Sequence, residues 1–140
     1  MYKNILMTII LAFIMVGLNA DLAIIVNKSN TITEISQLDM QNIYSGKKTT
    51  WDDGKPIEAV FLTSNQATDI FLKDVIKKTL PQYTNFWKKA VFTGTGNPPK
   101  EFSSAEEMKK FVSTNPNALG FISSSQLDNT LKQIEIKWGK

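Results

Sequence analysis

The chain has 140 residues, no cysteine and no histidine, and its 16 basic residues, all lysines, stand against 13 acidic ones for a pI of about 9.1. These counts exclude a disulfide framework and a metal-thiolate site, and leave few side chains suited to acid-base work at neutral pH. The lysines alternate with acidic residues rather than forming one stripe, so nucleic acid is not an expected partner, and neither an enzyme nor a bound cofactor or metal is expected.

In chain order, Lys3 precedes an apolar run from Ile5 to Val16 that closes on Gly17-Leu18-Asn19-Ala20, the order of a secretory signal peptide. The run is shorter than the ~20 apolar residues of a spanning helix, and Asp21 rather than a basic cluster follows it. Cleavage beside Ala20 is therefore preferred to a retained anchor. Residues 1–20 are expected as a signal peptide and residues 21–140 as one domain, periplasmic or secreted. A chain of that length buries roughly two thirds of its unfolded surface, enough for one core held by packing alone.

Leu22 to Val26 is a short apolar run bounded by Asn27-Lys28-Ser29-Asn30, which predicts a buried strand. Ser36-Gln37-Leu38-Asp39 opens a two-turn helix with Leu38, Ile43 and Tyr44 as its apolar face and Gly46 as its stop. Trp51-Asp52-Asp53-Gly54 is turn chemistry, and Pro56 to Leu62 predicts a second buried strand ended by Thr63-Ser64-Asn65. From about Gln66, residues Phe71, Leu72, Val75, Ile76 and Leu80 recur at helical spacing, and Pro81 closes that helix or opens the next. Tyr83, Phe86, Trp87, Ala90 and Val91 mark the next helix.

Thr93 to Pro99 is a loop by composition, and its Gly94-Thr95-Gly96 follows a helix rather than a strand, the wrong context for a nucleotide loop. Ser104-Ala105-Glu106-Glu107 starts a helix with Met108, Phe111 and Val112 inward, stopped by Asn115-Pro116-Asn117. Ala118 to Ile122 reads as a strand, and Ile134, Ile136 and Trp138 alternate with Glu135 and Lys137 as a half-exposed final one. The alternation of strands and helices predicts an α/β domain around one sheet, with Ile25, Ile43, Phe61, Phe71, Val75, Phe86, Trp87, Phe111 and Phe121 at its core.

Five landmarks then carry a resemblance. They are Ile25-Val26-Asn27-Lys28-Ser29-Asn30, the block from Ile43-Tyr44-Ser45-Gly46-Lys47 through Trp51-Asp52-Asp53-Gly54, Phe86-Trp87, the stretch Phe92 to Pro99, and Asn115-Pro116-Asn117-Ala118-Leu119-Gly120-Phe121-Ile122. In this order and spacing the chain resembles the phosphate ABC transporter substrate-binding protein family. The resemblance implies a single lobe of the periplasmic binding protein-like (type II) fold, a mixed sheet flanked by helices. It also implies an oxyanion such as phosphate as ligand and a membrane transporter, channel or sensor as partner. Because half of the family's two-lobed clamp is absent from this chain, a homodimer or another partner is a way to close the crevice.

The departure from the family lies at Thr63-Ser64-Asn65-Gln66-Ala67-Thr68, where family members place a Gly-Ser-Gly-Thr-like loop, often after an arginine. Such a loop holds an anion through free N–H groups at a helix start, which small residues let it approach. Here the glycines are replaced, the bidentate arginine donor is absent, and Asp69 adds negative charge to the first helical turn. Ser64, Asn65, Gln66 and Thr68 are the expected ligand-binding residues, with Ser29 and Asn30 after the first strand as a second contact. Ser64 and Asn65 also suit a simple helix cap. Lys47 and Lys48 fit a helix C-terminus better than an anion corner, and Trp51 fits a packed turn better than a ligand platform. Ser123-Ser124-Ser125 offers hydroxyls but no histidine to activate one. Two readings follow: an oxyanion-binding domain, or an interaction module of the cell envelope that keeps the lobe fold without a ligand.

Overall fold

The computed structural model describes residues 21–139, so the signal peptide expected over residues 1–20 lies outside the described residues. Among the described residues six strands form: β1 (Ala23–Val26), β2 (Glu34–Ser36), β3 (Glu58–Leu62), β4 (Lys100–Phe102), β5 (Ala118–Ile122) and β6 (Lys132–Lys137). The helices are α1 (Gln37–Tyr44), α2 (Gln66–Ile70), which runs on as the π-helical segment Phe71–Ile76, α3 (Leu80–Thr93) and α4 (Ala105–Thr114). One mixed sheet of order β2-β6-β1-β5-β3-β4 joins all six strands, with helices on both faces, as the resemblance implies.

Direction within the sheet is what positions the site. β3 runs parallel to β5 and β4, and β2 runs parallel to β6, whereas β1 is antiparallel to both of its neighbours, β5 and β6. β1 and β5 are buried along their whole length because they lie mid-sheet with a helix layer on each side, which is why both read as unbroken apolar runs. On one face, Phe71 stacks on Phe121 with ring centroids 4.0 Å apart, Phe61 stacks on Tyr83 at 4.6 Å, and Tyr44 meets Phe71 edge-on at 4.9 Å. These rings tie α1, the π-helical segment and α3 to the sheet. On the other face α4 lies close over β5: a Cβ at Gly120 would come within 3.0 Å of Met108 Sδ and 3.1 Å of Val60 Cγ2. Asn27, buried after β1, anchors the end of α4 by donating to the carbonyls of Val112 at 2.8 Å and Ser113 at 3.1 Å.

Several expectations are corrected. α1 turns Met40, Ile43 and Tyr44 inward, an i, i+3, i+4 set, which leaves Leu38 on the outer side and 63% exposed. The helix from Gln66 does not reach Leu80; it ends where Lys77 takes a left-handed φ of 65°, and Leu80 is the first residue of α3, after its Thr79 cap. Phe86 lies on the flank of α3 and is 37% exposed, while Phe111 is only partly buried, against Phe102 at 5.4 Å. β2 and β4 were not expected, being three-residue edge strands with no apolar pattern of their own.

Candidate functional site

The loop after β3 is built by its own side chains. Thr63 N–H donates to the Phe102 carbonyl at 2.9 Å and holds the loop to the end of β4. Asn65 then takes an extended conformation and its Oδ1 accepts from Ala67 N–H at 2.8 Å, capping α2. Ser64 is exposed, and neither its hydroxyl nor the N–H groups of Ser64, Asn65 and Gln66 has a hydrogen-bond partner among the described residues. Three successive free donors at the start of a continuous helical segment from Gln66 to Ile76 create a region of positive potential. Asp69, exposed in the first turn, opposes it.

Because β5, β3 and β4 are parallel neighbours, their carboxyl ends lie at one end of the sheet, and each opens into hydroxyl side chains. Ser103 and Ser104 follow β4; Ser104 accepts from Glu107 N–H at 3.2 Å as the cap of α4, and Ser103 donates to Glu107 Oε1 at 3.4 Å. Ser123, Ser124 and Ser125 follow β5, with the hydroxyls of Ser123 and Ser125 3.4 Å apart. Nothing in the sequence marks these serines as ligand contacts. β4 is too short and polar to be read as a strand, and without it the shared rim cannot be seen.

Three of the six expected contacts are not brought to the site. Ser29 and Asn30 follow β1, and β1 is antiparallel, so Val26 pairs with Leu119 near the start of β5 while Ser64 lies beyond the far end of β3. A five-residue strand at about 3.3 Å per residue separates the two places by roughly 16 Å. Ser29 instead folds back on Asn27, donating to its Oδ1 from both N–H, at 2.9 Å, and Oγ, at 2.8 Å, and Asn30 Oδ1 accepts from Ile32 N–H at 3.0 Å. Thr68 is placed beside the loop but points inward: it is buried, and its hydroxyl donates to the Leu62 carbonyl at 2.6 Å. It pins α2 to β3 and is not free to meet a ligand. Ser64, Asn65 and Gln66 remain together at the surface.

Elsewhere, Trp51 is buried, and its Nε1 donates to the Asn117 carbonyl at 3.1 Å, so it is a packed turn aromatic. Lys109, on α4, lies 2.8 Å from Asp128 in the β5 to β6 connection; that hydrogen bond, joined by two from Thr130, holds the Asp128 carboxyl well below the usual range. Burial pushes the Tyr44 and Tyr83 phenols up, and the Tyr83 hydroxyl has no partner among the described residues. Among the described residues no group of His, Cys, Asp and Glu is placed to hold a metal ion, and no helix is long and apolar enough to cross a membrane.

A family model described as a PBP superfamily domain matches residues 14–138. Among solved structures, the fold is similar to a Clostridium perfringens protein described as a phosphate ABC transporter substrate-binding protein with bound phosphate, at 21% identity and a TM-score of 0.64, over 83% of this chain and 44% of that one. It is similar also to an ABC-type phosphate transport receptor from Vibrio cholerae (23%, TM-score 0.58, 83% and 46%) and to PstS from Borrelia burgdorferi (17%, TM-score 0.62, 84% and 47%). The chain therefore spans less than half the length of these structures. No curated protein matches it.

Proposed function

The chain belongs to the PBP superfamily, and from that premise we propose that it is an exported solute-binding domain that takes phosphate or a related oxyanion for transport or sensing. The proposal rests on one observation above others, the unpartnered N–H groups of Ser64, Asn65 and Gln66 beside the free Ser64 hydroxyl, at the carboxyl end of β3. Donors fixed by a cap and a strand end, at the positive end of a helix, favour a compact anion over a neutral solute. The rim serines after β4 and β5 supply further hydroxyl donors from neighbouring strands. The ligand leaves unchanged: a transporter, channel or sensor in the cell envelope receives it.

Ser64 and Gln66 are exposed, the chain has no arginine, and Asp69 stands in the first turn, so water competes well for the same donors. Affinity of a single copy is accordingly no better than roughly micromolar, about 8 kcal/mol. The same features favour a second reading, an envelope interaction module that has kept the fold and lost the ligand. Titration calorimetry with phosphate and sulfate separates the two. Saturable heat with phosphate, abolished by Asn65→Leu in a variant that still melts cooperatively, is the expected result. Absence of heat at millimolar anion, with Asn65→Leu fully active in cells, would leave the interaction module standing.

A further inference from the structure

α3 is attached to the molecule along one side only. Tyr83 stacks on Phe61 and Trp87 Nε1 donates to the Tyr44 carbonyl at 3.2 Å, whereas Leu80, Val91 and Phe92 are 45%, 54% and 91% exposed. Residues 80, 83, 84, 87, 88 and 91 follow helical spacing and form one continuous face. That face is one wall of a 630 Å³ groove whose floor and far wall are Phe61, Pro98 and Glu101. Exposed apolar side chains grouped on one helix, beside an apolar groove, mark an interaction surface. Lys88 stands on the helix wall and Glu101 on the β4 wall, and neither has an ion-pair partner among the described residues.

We infer that this groove seats α3 of a second copy of the chain, the two helices packing antiparallel about a two-fold axis. The surface is self-complementary: the helix that walls the groove also carries the protruding Leu80, Val91 and Phe92 that would fill its mate. In such an isologous contact any residue pair forms twice, so Lys88 of each copy meets Glu101 of the other and both unpaired charges are matched. An extended peptide added to the β4 edge fits less well. The Phe102 carbonyl is turned toward Thr63, which leaves Glu101 as the one residue of β4 facing outward, and Pro98 and Pro99 precede the strand. A small solute would cover only part of a face that follows a 14-residue helix about 21 Å long.

Sedimentation equilibrium of the protein as isolated from cells tests the contact. The expected result is a concentration-dependent monomer–dimer equilibrium in the micromolar range, weakened about tenfold or more by Phe92→Glu with an unchanged thermal melt. Lys88→Glu and Glu101→Lys should each weaken the dimer, and the double exchange should restore it. A protein that stays monomeric up to roughly several hundred micromolar, where a micromolar dimer would be almost fully formed, overturns the inference. So does a dimer indifferent to Phe92→Glu, or one that the double exchange fails to restore.

Discussion

Asn65 and Thr68 stand three residues apart and do different work. Asn65 caps α2 from the surface, so Asn65→Ala should cost about 1 kcal/mol in chemical denaturation. Thr68 satisfies the buried Leu62 carbonyl, and Thr68→Val should cost about 1 to 3 kcal/mol by stranding that acceptor, while anion binding at Ser64 and Asn65 persists. A loss of binding in Thr68→Val at full occupancy of the folded state would return Thr68 to the ligand face. The two buried phenols make a second test at this scale. Folded values raised above the ordinary tyrosine range mean that burial favours the neutral form. The associated stability is present below about pH 10 and is lost as pH rises further. Phenolate absorbance from Tyr44 and Tyr83 should therefore appear only together with the loss of far-ultraviolet helix signal.

At the scale of elements, burial decides which aromatic residues matter. Phe71 is fully buried between Tyr44 and Phe121, so Phe71→Ala should cost about 3 to 5 kcal/mol, a large share of a domain's stability. Phe86, on the exposed flank of α3, touches mainly Trp87, and Phe86→Ala should cost about 1 kcal/mol or less. Equal costs in urea unfolding would mean that the phase of α3 is misassigned. The contrast was not legible beforehand, because Phe86 and Trp87 both fall on a plausible apolar stripe. Helical spacing bounds an apolar face only to about a quarter turn, and the neighbouring sheet then selects the part it covers.

For the whole molecule, the Lys109 to Asp128 pair links α4 to the connection between β5 and β6. The carboxyl is depressed in the folded state, so its contribution is present above the unfolded value near 4 and fades as pH falls below it. Asp128→Asn should lower the melting temperature at pH 7, and the difference from the parent should shrink steadily as pH falls from about 4 towards 2; a constant difference across that range would refute the linkage. Export has its own measurement: mass spectrometry of the envelope fraction should find a chain that starts at or near Asp21. Much of the architecture was settled by the sequence itself. The apolar runs at Ala23–Val26, Glu58–Leu62 and Ala118–Ile122, the caps at Ser36, Asn65 and Ser104, and the alternation at Lys132–Lys137 are signals carried within a few residues, where periodicity and capping act. The direction of β1, the edge strands β2 and β4, and the inward turn of Thr68 were decided by tertiary structure alone. A strand's direction depends on which distant segment pairs with it, and Val26 and Leu119 are set against each other by long-range hydrogen bonding and burial that no local pattern encodes. That one reversal separates Ser29 and Asn30 from Ser64 and Asn65, and gathers the ends of β3, β4 and β5 into a single rim.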